Sequence, residues 1–438
     1  MMEIRNITLL LIAILSAIIA VRAGWCPDKY KRYSLEHSYC LRTCCACPFY
    51  KKDVSEWMKN YILFQHNSLR SKVAGGNSYG VDHLPRATNM LEMVWDDELA
   101  TIAQKWAYSC HRNSDCDLCR MVERFAVGQY IIEFEGETMS AEDYNSEFFI
   151  NFQRMKSLQK STVANYSDSA GKGTITQLLW AKTWRIGCGF LYFRDPNGRK
   201  YAVLICNYGP RGNIEGEEVY KGGDICFDCP ANTCCGDQCK MYNIQSKYHG
   251  LCKVIDENLP PEGKVPHEKN RKEIFYCGFN GESDCSYTVD GVDRWIHNIS
   301  TGGTWISTYL GSGGYTILKF EEPIVSKSGK MCLRIVTRSG PTVADQPYKY
   351  ELVGEMGKEG SYGVSFGFPK PEEKVKHFFH TDYFQPSRFP KNQDVRLTLK
   401  FSVPYDTPRQ YIEIKRIVAE EKDCPKETVT EGLSFIVE

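Results

Sequence analysis

The side chains best placed to do chemistry in this 438-residue chain are its twenty cysteines. They fall into three blocks, each even by itself: ten from Cys26 to Cys206, six from Cys226 to Cys252 and four from Cys277 to Cys424. Cysteines so grouped can close bridges within each block, or their thiolates can bind metal. Cys226-x-x-Cys229 and Cys235-x3-Cys239 have zinc-like spacing. The start of the chain favours oxidation. Polar Met1 to Arg5 precede an unbroken apolar run, Ile7 to Val21, which ends at Val21-Arg22-Ala23 before Gly24, the pattern of a signal peptide. Exported thiols usually oxidise before they meet metal, so disulfides are expected and zinc is the second reading. The run is too short for a comfortable span and no other stretch approaches the ~20 apolar residues one needs, so the mature chain is expected to be secreted and not membrane-spanning.

Other reactive patterns are scarce. There is no Gly-x-Ser-x-Gly elbow, zincin signature, phosphate loop or EF-hand loop. His66 reads as a hydrogen-bonded structural histidine, with His83 and His111 as possible substitutes in any site built around it. Two sequons, Asn165-Tyr166-Ser167 and Asn298-Ile299-Ser300, predict glycans on exposed loops, and Asn6 lies in the leader. A formal net charge of zero removes any general electrostatic case for nucleic acid, and the basic cluster Lys269 to Lys272 reads as solvated linker.

The elements that would position these groups come from periodicity. Asp53 to Gly76 predicts a helix with Asp53 or Ser55 as cap and Trp57, Tyr61, Phe64, Leu69 and Val73 on roughly one side. A second begins at Asp96, with Leu99, Ile102, Ala103, Trp106, Ala107 and Cys110 at helical spacing. A third starts near Ser140 and carries Tyr144, Phe148, Phe149, Phe152 and Met155; a fourth starts near Thr174 and carries Ile175, Leu178, Leu179 and Trp184. Strands Gly189 to Arg194 and Arg199 to Tyr208 flank the turn Asp195-Pro196-Asn197-Gly198. If Arg194 faces Arg199, Cys188 and Cys206 lie opposite one another to within one residue, close enough to bond. The segment from Cys226 to Cys252 is too rich in cysteine and too poor in apolar residues for a normal core, so it reads as a stapled knot. From Glu273 onward, runs such as Gly314 to Phe320, Met331 to Thr337, Val395 to Val403 and Tyr411 to Val418 predict a mostly β domain, a sandwich.

These segments resemble the CAP superfamily, most closely the antigen 5 group of insect venom allergens. The resemblance rests on His66-Asn67-Ser68-Leu69-Arg70, Met93-Val94-Trp95-Asp96-Asp97-Glu98-Leu99-Ala100, Val127-Gly128-Gln129 and Thr176-Gln177-Leu178-Leu179-Trp180-Ala181-Lys182-Thr183. Gly187-Cys188-Gly189 and Cys206-Asn207-Tyr208-Gly209-Pro210-Arg211-Gly212-Asn213 complete it. It implies an α+β fold: a three-layer α-β-α sandwich, then a small cysteine-rich hinge, then the β-sandwich (jelly-roll-like) domain. The organisation is then a signal peptide over 1–23, a cysteine-rich arm over 24–52, the CAP domain over 53–223, the hinge over 224–253, a linker over 254–273, the β domain over 274–426 and a tail over 427–438. The last domain resembles a MAM module through Cys277-Gly278-Phe279, Cys285, Trp295, Cys332-Leu333 and Ile412-Glu413-Ile414 before Cys424. That likeness implies bridges Cys277–Cys285 and Cys332–Cys424, although Lys415-Arg416 replaces the acidic dipeptide usual near the module's end. Against the antigen 5 pattern Cys116 is the odd cysteine, which implies a bond to one of Cys44, Cys45 and Cys47.

CAP domains typically hold two histidines and two acidic or amide groups in a cleft suited to a divalent ion. Residue by residue, the resemblance places these on His66, Gln129, Phe152 and Thr174. Three of the four can be neither imidazole nor carboxylate, so a metal site is not expected and no cofactor is implied. The expected function is therefore a secreted, non-enzymatic protein that binds an extracellular protein or lipid partner. The alternatives are a hydrolase or divalent-metal protein rearranged around His66, sterol or fatty-acid carriage over the aromatic third helix, and channel modulation through the hinge.

Overall fold

The computed structural model describes residues 26–41, 47–75, 82–136, 150–151, 153–167, 173–263, 272–279, 285–291, 294–300, 303–357, 364–368, 375–386 and 388–425. The expected leader, Cys44 and Cys45, most of the expected third helix and Phe152 lie outside these residues. The chain divides into two compact units, Met1–Glu257 and Asn258–Glu438.

In the first unit, strands β1 (Phe49–Lys52), β2 (Val94–Trp95), β3 (Gly128–Glu135), β4 (Arg185–Arg194) and β5 (Lys200–Gly209) form one sheet in the order β1-β4-β5-β3, with β2 pairing β4. Helices α1 (Glu56–Gly75), α2 (Asp97–Ala107) and α3 (Gly173–Leu179) accompany it. The period-2 alternation of a strand assigns its two faces. On β4 and β5, Ile186, Cys188, Phe190, Tyr192, Ala202, Leu204, Cys206 and Tyr208 pack with Met58 and Ile62 of α1. Their neighbours Leu191, Phe193, Tyr201, Val203 and Ile205 pack with Ala103 and Ala107 of α2. The sheet is thus a middle layer between helices, and β4 is buried at every position but its last. The α2 backbone seats against β4 because Gly187 and Gly189 leave room: a Cβ on Gly187 would stand 2.2 Å from Ala100 N, and one on Gly189 2.3 Å from Gln104 N. Asp96 caps α2 by accepting from Leu99 N–H at 3.0 Å.

Several expectations are corrected here. In α1 the inward side chains are Met58, Ile62, His66, Leu69 and Val73, whereas Trp57 and Phe64 are each 54% exposed. Trp184 lies beyond the end of α3, in a separate cluster with Leu91. The end of the expected arm, Phe49–Lys52, is the sheet's edge strand. Val254 to Glu257, read as linker, are anchored in the first unit: β6 (Thr233–Cys234) pairs with β7 (Lys253–Val254), and Arg185 donates to the Glu257 carbonyl at 2.6 Å. The hairpin pairs Arg194 with Lys200, one residue from the predicted register, which places Cys188 opposite Cys206, bonded.

Cysteine pairing follows the blocks. The bridges are Cys26–Cys40, Cys47–Cys110 and Cys116–Cys119, then Cys226–Cys235, Cys229–Cys252 and Cys234–Cys239. Cys116 does not reach back to the arm. It begins the 3-10 turn Asp117–Arg120, which returns Cys119 to a Cα distance of 4.9 Å, close enough to bond locally.

Every strand-to-strand pairing described in the second unit is antiparallel. One sheet runs β15 (Val364–Phe368), β14 (Glu351–Gly357), β17 (Arg396–Ser402), β12 (Tyr315–Phe320), β9 (Tyr287–Gly291). The other runs β10 (Ile296–Ser300), β11 (Gly303–Leu310), β18 (Gln410–Glu420), β13 (Cys332–Pro341), β16 (Lys376–Phe384), with β8 (Glu273–Cys277) also on β18. Leu318, Leu352, Leu399 and Phe401 of the first meet Ile306, Leu333, Ile335 and Ile414 of the second in one core, a β-sandwich. Its bridges are Cys277–Cys285 and Cys332–Cys424.

Candidate functional site

His66 is buried on the inner face of α1, between the helix backbone and the sheet. Its Nδ1 lies 2.7 Å from the Ile62 carbonyl and its Nε2 2.9 Å from the Tyr208 hydroxyl. A carbonyl only accepts, so Nδ1 carries the proton and Nε2 accepts from Tyr208. Burial disfavours the imidazolium and lowers the pKa from 6.5 to about 4; the Ile62 carbonyl opposes that shift and the Arg70 charge adds to it. The ring is neutral at physiological pH, with both nitrogens engaged.

Of the other expected cleft groups, Gln129 lies on the opposite face of the sheet from His66. Gln129 pairs with Asn207 in the β3–β5 register, while Tyr208 pairs with Gly128. Alternation puts Gln129 on the α2 side of the sheet and His66 on the α1 side. Gln129 donates to Asn207 Oδ1 at 3.0 Å and accepts from Asp115 N–H at 3.3 Å, and Asn207 donates to the Leu99 carbonyl of α2. Thr174 is half-buried in the first turn of α3. His83 lies 2.9 Å from the Leu158 carbonyl, and His111 stacks on Trp106 of α2. Among the described residues the one grouping of metal-type atoms is Cys226, Cys229 and Cys235, and all three are consumed by disulfides. Met155 of the expected aromatic helix is buried in a core cluster with Leu69, Val73 and Trp180.

What does gather at His66 is a set of polar residues tied to backbone. Asn67 donates to the Met93 carbonyl at 2.9 Å and accepts from Met93 N–H at 2.8 Å. Arg70, fully buried, donates to five carbonyls, those of Leu91, Leu178, Trp180, Ala181 and Thr183, at 2.9 to 3.1 Å. Four of them, those of Leu178, Trp180, Ala181 and Thr183, lie at and just beyond the C-terminal end of α3, where partial negative charge accumulates. Burial lowers the guanidinium pKa to about 9, which leaves it charged at neutral pH. Gln177 accepts from Gly212 N–H at 3.0 Å and donates to Thr183 Oγ1 at 3.2 Å, and its Oε1 occupies the space a Cβ on Gly128 would need. The motif around His66 and the one around Gln177 are therefore two halves of one structural knot. Sequence reasoning quoted Asn67, Arg70 and Gln177 as motif residues without giving them a role; their chemistry, donors matched to carbonyls, carries it.

A second polar assembly lies on the α2 side. Glu98 accepts from Lys29 at 2.8 Å, Tyr30 at 2.7 Å and Arg124 at 2.8 Å; Arg124 also binds Asp96, and Arg185 binds Glu257 at 3.2 Å. Burial alone would raise the Glu98 pKa, but the bonds from Lys29 and Tyr30 and the Arg124 charge outweigh it and hold it at about 2. Each acid here has a basic partner, as in a structural ion network.

Comparison with known proteins gives a consistent picture. A family model described as "CAP: Cysteine-rich secretory protein family" matches residues 63–208. "Venom allergen 5" of Lycosa singoriensis is 60% identical over 320 residues, 73% of this chain and 85% of that protein. "CRISP/Allergen/PR-1" of Trittame loki is 35% identical over 412 residues, 93% of this chain and 97% of that one. "Venom allergen 5" of Tityus serrulatus is 33% identical over 406 residues, 91% and 94% of the two chains. The two longer matches take in much of the C-terminal unit as well.

Proposed function

The chain belongs to the cysteine-rich secretory protein (CAP) family, and from that premise we propose that it is an exported, non-enzymatic binding protein of the venom-allergen 5 type, acting on extracellular protein or lipid partners. The observation that carries the reading is the closure of His66: its two ring nitrogens hold Ile62 and Tyr208, and its neighbour Arg70 holds five backbone carbonyls. General acid–base catalysis needs a titrating group within reach of substrate, and a histidine lowered to about 4 and bonded at both nitrogens does not supply one. Export is supported by the leader pattern, by the paired cysteines and by the absence, among the described residues, of a helix long and apolar enough to cross a membrane. The β-sandwich, with bridges Cys277–Cys285 and Cys332–Cys424, supports a MAM-like adhesion role for the second unit.

The test is a screen of the purified mature protein against peptide and ester substrates beside His66→Ala. We expect both at background; turnover by the wild type that disappears in the variant overturns the reading. Mass spectrometry of lipid extracted after native purification then separates lipid from protein partners.

A further inference from the structure

Sheet edges in the second unit are not equally protected. An edge strand offers unpaired N–H and C=O groups to any second strand, and proteins blunt such edges with charge, proline or a bulge. Strand β16, at one end of the six-stranded sheet, carries Asp382 and a register shift in its pairing with β13. Strand β10, at the other end, reads Ile296-His297-Asn298-Ile299-Ser300. It has no acidic or basic residue other than His297, no proline, and unbroken register with β11. Ile296 is 55% and Ile299 61% exposed. Among the described strands β10 has one neighbour.

The same five residues contain a sequon. Asn298 was expected on an exposed loop; it is instead in mid-strand, paired with Trp305 and half-buried. Its Nδ2 donates to the Ile296 carbonyl at 3.0 Å on the exposed side and to Ser307 Oγ at 3.0 Å on the partly buried side. A primary amide has two hydrogens, and an N-glycosidic bond replaces one of them. The hydrogen facing Ile296 can be replaced without touching the buried bond to Ser307.

We propose that an N-linked glycan on Asn298 is the cap of this edge, standing over Ile296 on its own face of the strand and blocking strand addition by a second copy of the chain. The inference rests on the export reading, since transfer occurs on translocated chains. An oligosaccharide carried on a polyprenyl pyrophosphate is the donor: the C1–Nδ2 bond forms, the C1–O bond to pyrophosphate breaks with its electron pair leaving on that oxygen, and one amide proton is released. A bulky, hydrated group in mid-strand does the work that lysine or proline does on other edges.

The experiment is secretion of the full chain from a glycosylating eukaryotic host, with peptide mass spectrometry at Asn298 and light scattering on the purified protein. The expected result is a glycan on Asn298 and a monomer for the wild type, concentration-dependent self-association for Asn298→Gln, and a monomer again for Asn298→Gln with Ile299→Lys. Asn165→Gln should leave the protein a monomer. If Asn298→Gln fails to fold, endoglycosidase trimming of the folded wild type supplies the same comparison. Export with a bare Asn298, or a de-glycosylated protein that stays monomeric at every concentration, overturns this inference alone. Retention in the cell with an uncleaved leader overturns the export reading and this one with it.

Discussion

Tyr208 donates its hydroxyl to His66 Nε2 at 2.9 Å, a bond that ties the first helix to β5 across 142 positions of sequence. It converts a residue type associated with catalysis into a pin between two layers. The consequences are measurable.

The first concerns pH. His66 and His37 are both buried and both lowered from 6.5 to about 4; His37 lies 2.8 Å from the Met121 carbonyl and accepts from Tyr39 N–H. The unfolded chain protonates both near 6.5 and the folded chain only near 4, so the unfolded state holds more protons between those values and stability falls as pH falls through that window. At about 1.4 kcal/mol per pH unit, each histidine costs about 3 kcal/mol by the bottom of it. Thermal unfolding at pH 7.5 and 4.5 should show a lower Tm in acid, and His66→Gln should flatten part of the slope. An unchanged wild-type Tm across the window would contradict the neutral assignment.

A metal that binds only the folded state raises Tm with its concentration. Zinc or calcium at millimolar levels should shift the Tm of the wild type and of His66→Ala equally, if at all. A shift present only in the wild type would reinstate a metal centre at His66.

Arg70 is held by five carbonyls and, among the described residues, by no carboxylate. Arg70→Met leaves those acceptors buried and unpaired, at roughly 1–3 kcal/mol for each one that water cannot reach, so a loss on the order of 4 kcal/mol or more is expected in denaturant unfolding. Arg70→Lys should lose nearly as much, because one ammonium cannot span the set. A loss below about 1 kcal/mol for either variant would show that the knot is dispensable.

Two glycines separate packing from conformation. Gly187→Ala puts a methyl 2.2 Å from Ala100 N and 2.4 Å from Asp96 O, so α2 cannot seat and little folded protein should be recovered. Gly198→Ala meets nothing within 4 Å but sits at φ +82°, and should cost about 1 kcal/mol. Equal yields and equal stabilities for the two would refute the close helix–strand contact.

Peptide mapping without reduction should recover Cys116 joined to Cys119 in one short fragment. A fragment joining Cys116 to the arm would restore the pattern inferred from the antigen 5 resemblance.

Sequence periodicity located α1, α2, α3 and the β4–β5 hairpin, because each buries a stripe that repeats at the period of its own backbone. It misassigned the aromatic residues of α1, where two apolar stripes run side by side. Met58, Ile62 and His66 face the sheet, while Trp57, Tyr61 and Phe64 form a second stripe of rings, Trp57 stacked on Tyr61 at 5.1 Å. Spacing alone does not say which stripe meets a partner. Strand β1 was invisible because all four of its residues are exposed and show no alternation. The cleft failed at Gln129 for a reason of parity: one step along a strand changes the face, and only the register with Asn207 and Tyr208 tells which. Cys188–Cys206 was legible because a hairpin turn fixes its register, whereas Cys116 has no such local ruler.

All nine described bridges close inside their own unit, and the four cysteines of the second unit pair among themselves. No described bridge crosses from one unit to the other. The sandwich is thereby separable as far as the described bridges go: a gene could lose, duplicate or exchange it without breaking one of them, and one proteolytic cut between 258 and 272 would leave all nine intact.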